Sequence, residues 1–309
     1  MRVAILMGGT SPEAEVSRKT GKAVAEGLRQ RGHSVEMFEW EEERVISDVD
    51  ALRPFDVVFV GYHGGDGENG RVQAALELAG LKFTGSGYVA SALGMNKILS
   101  KIVFAHHGIP TPAGIFADSE QSPQEILAAA QKQNLGLPLV IKPAAQGSTV
   151  GVTIANSEEE FFAGIHEALE YGDRIIVEKY IPGREVTVSI LGGLPLPVVE
   201  IIPKDGFYDY EHKYTKGKSE YICPAEVDPE VAENLKKTAV MAYRALGCRH
   251  YARVDFRLSP KNEIFCLEVN TLPGMTELSL VPMAAKSVGI EFPELVDKIV
   301  TMAYEGRDE

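Results

Sequence analysis

Cysteine is scarce in this chain. Cys223, Cys248 and Cys266 are the three in 309 residues, and no two stand at C-x-x-C spacing. That excludes a disulfide framework and a thiolate zinc knuckle, and it fits a reducing compartment. Long apolar runs are missing too: none approaches the ~20 residues that a membrane helix needs. The first run, residues 3–7, stops at Gly8-Gly9, too short for the centre of a secretory leader. Basic charge is in deficit, with 31 Lys and Arg against 44 Asp and Glu and a net charge of −13. Such a surface suits neither nucleic acid nor an anionic membrane, although a local basic pocket for a small anion is compatible with it. There is no G-x-x-x-x-G-K-[ST], so a P-loop is excluded. The expectation is a cytoplasmic enzyme of two or three domains, at ~100–200 residues per domain.

What is present is a change of pattern along the chain. Residues 2–7 form a β-branched apolar run ending in a Gly-Gly turn, and 17–30 carry helical spacing with Ala23, Val24 and Leu28 as the stripe. Strands are predicted at 34–40, 56–61 and 82–85 and a helix at 72–79, an alternation that builds a parallel sheet. After a helix at 97–107, the segment Gly108-Ile109-Pro110-Thr111-Pro112 marks a boundary. Helices at 123–133 and 158–169, the latter capped by Ser157, alternate with strands at 137–142, 152–155 and 174–181, giving an α+β unit with an antiparallel sheet. Further on come strands at 185–191 and 196–202, a polar aromatic loop over 204–221, and a helix at 229–246. Two strands at 251–258 and 263–269 and helices at 280–287 and 293–304 close the chain. The predicted division is 1–95, 96–182 and 183–309.

Four constellations carry chemistry. The first is the turn Gln146-Gly147-Ser148-Thr149-Val150-Gly151 after Lys142-Pro143, where small residues admit backbone N–H groups to a phosphate and Lys142 supplies charge; a plain hairpin accounts for it equally well. The second pairs Arg253-Val254-Asp255 with Glu268-Val269-Asn270 on two adjoining strands. Alternation places Arg253 with Asp255 and Glu268 with Asn270, and a hairpin gathers three oxygen donors of the kind Mg²⁺ takes. A solvated sheet face is the alternative, but Phe256, Phe265 and Leu267 mark these strands as core, where unpaired acids are costly. The third is His63-Gly64-Gly65-Asp66-Gly67-Glu68-Asn69-Gly70, between a strand and a helix, where α/β proteins bind ligands. His63 could equally be a loop histidine. In the fourth, Lys213 and Tyr214 lie on the long loop, which either closes over a charged ligand or is simply an exposed aromatic loop.

Together these motifs resemble the D-alanine–D-alanine ligases of the ATP-grasp fold, over essentially the whole chain. The N-terminal signature of that family is similar to His63-Gly64 through Gly67-Glu68-Asn69-Gly70, with Asn69 where Asp is usual. The C-terminal signature resembles Arg253-Val254-Asp255 through Leu267-Glu268-Val269-Asn270-Thr271-Leu272-Pro273-Gly274. Gly8-Gly9-Thr10-Ser11 with Glu15-Val16-Ser17, the Gly147–Gly151 turn and Lys213-Tyr214 fall in family order. Asn96, Gln146 and Thr149 are further departures, where Asp, Glu and Ser are common.

The resemblance implies an α/β and α+β chain in which an N-terminal parallel α/β domain precedes two α+β subdomains that clasp ATP. It implies Lys97 and Lys142 on the α- and β-phosphates, Glu178-Lys179-Tyr180-Ile181 around adenine, and Glu185 on the ribose. Asp255, Glu268 and Asn270 would hold two Mg²⁺ (or Mn²⁺), and Lys213 would meet the γ-phosphate. Glu15 would take the first D-alanine's ammonium, linked through Ser148 to Tyr214, with His63 nearby. Ser279 and Leu280 would take the second D-alanine's carboxylate, and Arg253 with the N–H of Gly274 the oxyanion. The implied product is D-alanyl-D-alanine for peptidoglycan precursors, made through a D-alanyl phosphate by a homodimer that needs no nucleic acid or membrane. A D-lactate-using ligase, another carboxylate–amine ligase and a non-catalytic nucleotide-binding module are the alternatives.

Overall fold

The computed structural model describes residues 1–204, 219–276 and 279–306. Strand β1 (Arg2–Gly8) is buried from Val3 to Gly8 because both of its neighbours run parallel to it and helices cover the sheet. Those neighbours are β2 (Ser34–Trp40) and β3 (Val57–Val60), in the order β2-β1-β3. Parallel strands need a crossover, supplied between β1 and β2 by α1 (Ala14–Gln30). Its buried face runs through Ser17, Thr20, Gly21, Val24 and Leu28. Short helices follow: α2 (Arg44–Ser47), α3 (Gly65–Glu68), α4 (Arg71–Leu78) and α5 (Tyr88–Met95). The strand expected at 82–85 is reduced to one parallel bridge, Val58 to Phe83.

α6 (Lys97–His106) leads into the second layer, its N-terminus capped by the Asn96 side chain, which accepts from the Leu99 N–H. There β4 (Gly114–Asp118), β5 (Leu139–Pro143), β6 (Thr153–Ala155) and β7 (Arg174–Lys179) form an antiparallel sheet in the order β4-β7-β5-β6. Two helices cover it. α7 (Pro123–Lys132) opens on a Ser122/Glu125 capping box, and α8 (Glu158–Leu169) is capped by Ser157. Ile126, Phe161 and Ile165 pack onto Leu139, Ile141 and Val177. β4 has no counterpart among the predicted strands: it is a five-residue edge strand with a single fully covered residue, Ala117, so its burial leaves no alternation to read.

The third sheet is β8 (Arg184–Leu191), β9 (Leu194–Pro203), β10 (Ser219–Ile222), β11 (Tyr251–Leu258) and β12 (Ile264–Asn270), antiparallel in the order β10-β9-β8-β11-β12. α9 (Pro229–Ala245) covers one face through Leu235, Ala239 and Tyr243. The last helices, α10 (Leu280–Lys286) and α11 (Phe292–Glu305), do not stay with this sheet alone. Their apolar residues share one core with β1, β3 and α1, together with Leu196, Val199 and Ile201 of β9. α11 lies so close to α1 that a Cβ on Gly27 would stand 3.0 Å from Val296 Cγ2. The chain thus closes on its own beginning, and the antiparallel sheets face each other beside the parallel one.

Candidate functional site

Two cavities lie where the three sheets approach. The first opens between the antiparallel sheets. Lys142 and Pro143 at the end of β5, the backbone after β7 at Lys179, Tyr180 and Ile181, and Glu185 on β8 border it. At its base the Glu178 carboxylate is clasped by two lysines, Lys142 at 2.6 Å and Lys101 on α6. Burial pushes the Glu178 carboxyl up, but the two ammonium groups outweigh it and hold the group below the ordinary carboxylate range. Glu178 thus keeps its charge and shares it with the two lysines, while Lys179, Tyr180 and Ile181 border the cavity beside it.

On the opposite wall, the β11–β12 hairpin pairs Arg253 with Asn270 and Asp255 with Glu268. This register puts all four side chains on one face, as strand alternation requires. Arg253 grips Asp255 with two bonds, Nε to Oδ1 at 2.8 Å and Nη2 to Oδ2 at 2.7 Å, and Thr187 donates to Oδ1 at 2.7 Å. Lys97 bridges Glu268 at 3.0 Å and the Gln146 carbonyl at 2.6 Å. The Asn270 side-chain oxygen is fixed by the Leu272 N–H at 2.9 Å. Two carboxylates and an amide oxygen, converging on a wall already furnished with cations, fit hard divalent ions such as Mg²⁺. Among the described residues no three His, Cys, Asp or Glu side chains gather, and on this face the two carboxylates have the Asn270 amide beside them.

The second cavity lies between α1, the 63–68 turn and the start of α10, and its lining includes Arg253, Asn270, Gly274, Ser279 and Leu280. Here the structure corrects the expectation for Glu15. That side chain is 66% exposed and pairs with Arg18 at 3.5 Å. The Ser148 hydroxyl instead donates to Glu13 Oε1 at 2.7 Å, and Glu13 is buried. Glu13 stands at the N-cap position of α1 and Glu15 lies in its first turn, where at ~100° per residue neighbouring positions turn to different sides. Glu13, Val16, Lys19 and Ala23 share the face that lines the cavity, and Glu15 falls on the other side.

His63 is buried, with Nε2 2.8 Å from Thr20 Oγ1 and Nδ1 3.5 Å from Glu68 Oε1. Its backbone carbonyl accepts from Ser11 Oγ at 2.5 Å, which ties the 8–11 turn to the 63–70 motif. Gly64 must be glycine there. It has φ +69°, and a Cβ would stand 2.6 Å from Glu13 Oε2. The Ser279 hydroxyl is held by Thr276, from its N–H at 3.0 Å and its Oγ1 at 2.9 Å.

Lys97, Gln146, Gly147, Ser148 and Glu268 border both cavities. The two spaces therefore meet at one wall bearing a lysine, a glycine-containing turn and an acid. Lys213 and Tyr214 lie outside the described residues, as does most of the 204–221 loop. Glu13 and Lys101 escaped the sequence reading. Glu13 and Glu15 both stand at a helix start with nothing local to separate them, and Lys101 looks like any exposed helix lysine until the second sheet is in place.

Residues 39–86 match the model of the D-ala D-ala ligase N-terminus, and residues 103–301 that of the D-ala D-ala ligase C-terminus. The chain belongs to the D-alanine–D-alanine ligase family. It is 43% identical to the D-alanine–D-alanine ligase of Syntrophotalea carbinolica, over 98% of this chain and 96% of the relative. To that of Moorella thermoacetica it is 44% identical, over 99% of this chain and 100% of the relative. Its fold is similar to the crystal structure of the Bacillus anthracis ligase complexed with ATP, with a TM-score of 0.86 at 30% identity, covering 99% of this chain and 98% of the other. It is similar as well to the VanG D-Ala:D-Ser ligase of Enterococcus faecalis, with a TM-score of 0.84 at 30% identity, over 98% and 99% of the two chains.

Against the family pattern, both asparagine departures have visible local work. Asn96 caps α6, and Asn69 donates to Asp66 at 2.8 Å and accepts from the Arg71 N–H at 3.1 Å. The cap at Asn96 suits an amide as well as a carboxylate, whereas the donation to Asp66 requires the amide. Thr149 sits at φ +65° in the turn, a conformation that disfavours its branched side chain. No helix among the described residues is long and apolar enough to cross a membrane.

Proposed function

We propose that the protein joins two D-alanine molecules at the expense of ATP, with the nucleotide in the cavity between the antiparallel sheets and the amino acids in the second. The observation that supports this reading is the wall shared by the two cavities, formed by Lys97, the 146–148 turn and Glu268. A transferable phosphate at that wall faces the carboxylate that receives it.

The carboxylate of the first D-alanine attacks the γ-phosphorus; the bond to the ADP oxygen breaks, and an acyl phosphate forms. The amine of the second D-alanine, having lost a proton, attacks that carbonyl; phosphate leaves and the peptide bond remains. Catalysis is chiefly positioning and charge neutralisation. Glu13, oriented by Ser148, holds the first ammonium, in the role expected of Glu15, and His63, fixed by Thr20 and Glu68, borders it. Lys97 and Lys142 contact the phosphates, the backbone at 179–181 the adenine and Glu185 the ribose. Ser279 and Leu280 receive the second carboxylate. Arg253 and the Gly274 N–H stabilise the oxygen that gains charge in the tetrahedral adduct. Asp255, Glu268 and Asn270 would hold two Mg²⁺ ions, which supply neutralisation of the phosphate charge. Lys213 and Tyr214 complete this assignment on the 204–221 loop.

The same reading makes the protein a cytoplasmic homodimer, associated through its N-terminal domain, that serves peptidoglycan precursor synthesis. Of the predicted three parts, 1–95, 96–182 and 183–309, the last returns its final helices to the first. Light scattering on the eluted protein tests the dimer.

The second substrate is decided by competition. Incubation with ATP, Mg²⁺, D-Ala, D-Ser and D-lactate, resolved by mass spectrometry, is expected to give D-Ala–D-Ala with one ADP per product. D-Ala–D-Ser as the main product would align the second site with the D-Ala:D-Ser ligase that shares this fold, and D-Ala–D-lactate would make the protein an ester-forming ligase. No product would leave only a nucleotide-binding module.

A further inference from the structure

The Lys101–Glu178–Lys142 cluster holds one lysine more than the nucleotide reading uses. Lys142 borders the cavity, whereas Lys101 is absent from its lining. Lys101 Nζ is turned the other way, bonded to the Thr111 hydroxyl at 2.5 Å and to Glu178. Both Lys101 and Glu178 are almost fully buried, at 4% and 2% exposure. A lone salt bridge satisfies a buried carboxylate; a second, inaccessible lysine brings its own desolvation cost. Burial and the neighbouring Lys142 charge do pull the Lys101 ammonium below the ordinary lysine range, against the pull of Glu178.

The need for the second cation arises when a nucleotide binds. Lys142 is the lysine of the cluster that lines the cavity, beside Glu178 itself, and in pairing with a phosphate it turns part or all of its charge away from Glu178. Without another cation, Glu178 becomes an uncompensated carboxylate in a site closed to water, and such a group takes up a proton. We propose that Lys101 is a positioning residue of the nucleotide site: it holds Glu178 ionised and in place from behind, which frees Lys142 to engage phosphate. The inference rests on the reading of this cavity as the ATP pocket. The charged and titratable groups facing the cluster are Lys101 on α6, Lys142 on β5, Glu178 on β7 and the buried Cys266 thiol on β12.

Titration calorimetry with the non-hydrolysable ATP analogue AMPPNP and Mg²⁺, run in two buffers of different ionisation enthalpy, counts the protons taken up on binding. Lys101→Met is expected to bind with up to one proton more than the wild type near neutral pH. Its KM for ATP is expected to rise at least tenfold, more steeply as pH increases, while its KM for D-Ala stays within about twofold. Lys101→Arg, which keeps the cation, is expected to restore the wild-type proton count. A folded Lys101→Met protein with an unchanged proton count and an unchanged ATP KM overturns the proposal. Should Lys101→Met fail to fold, the double variant Lys101→Met/Glu178→Gln decides: folding of that pair, with no extra proton taken up, supports the charge argument, and its failure assigns Lys101 to packing alone. Failure of AMPPNP to bind the wild type overturns the nucleotide reading instead, a result distinguishable from all of these.

Discussion

Ser148 and Glu13 are hydrogen bonded, hydroxyl to carboxylate at 2.7 Å, although 135 positions separate them in the chain. The bond joins the glycine-containing turn of the second sheet to the residue that precedes the helix after β1, at the lining of the second cavity. It also distinguishes two glutamates that sequence alone makes equivalent.

Glu13→Gln is expected to lower kcat/KM for D-Ala by at least about tenfold, because the buried partner of the substrate ammonium loses its charge, a loss of ~1.4 kcal/mol or more. Glu15→Gln, on the outer face beside Arg18, is expected to stay within about twofold. Steady-state kinetics on both variants checks the assignment. Equal losses would return Glu15 to the site.

Glu268→Gln removes one of the two carboxylates on this face and leaves Lys97 without its ion-pair partner, with only the Gln146 carbonyl and a neutral amide to bond. Turnover is expected to fall at least about tenfold, and the Mg²⁺ concentration for half-maximal activity to rise. A Mg²⁺ titration of wild type and variant reads both. An unchanged Mg²⁺ requirement would remove Glu268 from the metal set.

Gly64→Ala places a methyl group against Glu13 at a backbone angle of +69°, where alanine is itself disfavoured. A loss of about 1–3 kcal/mol in stability is expected from the strain and the close contact. A rise in the KM for D-Ala should accompany it, because the neighbour that must shift is Glu13. Denaturant unfolding and initial rates measure the two effects separately.

Asp297 on α11 ties the end of the chain to its beginning, accepting from His33 at 2.8 Å and from Arg31 at 3.1 Å. Partial burial pushes its carboxyl up, but the His33 and Arg31 bonds outweigh that and hold it below the ordinary aspartate range. A depressed carboxylate adds stability above its unfolded pKa, and that contribution is lost as pH falls through the folded value. Asp297→Asn is therefore expected to cost about 1 kcal/mol near neutral pH. The difference between the two proteins should close as pH falls below the ordinary aspartate range. Thermal melts of both across that range test it; a gap that widens on acidification would contradict the sign.

Much of the fold was legible because its signals are local. The apolar run after Arg2, the Ser157 cap and the Ser122/Glu125 box mark element ends within a few residues of themselves. Alternation along β11 and β12 was enough to anticipate that Arg253, Asp255, Glu268 and Asn270 share a face. Helix α5 gave no such signal, since Tyr-Val-Ala-Ser-Ala-Leu-Gly-Met lacks a polar stripe and no side chain caps its N-terminus.

By itself, the sequence determined the family, most of the strands and helices, and the shared face of Arg253, Asp255, Glu268 and Asn270, since each is written in neighbouring residues or in ordered motifs. Tertiary structure alone decided that Glu13 rather than Glu15 meets Ser148, that Lys101 stands behind Glu178, and that the last helices close on the first strand. Each of these depends on which side of an element faces a partner far away in the chain. That choice is made by burial: an acid or lysine excluded from water must find its counter-charge wherever the packed sheets bring one.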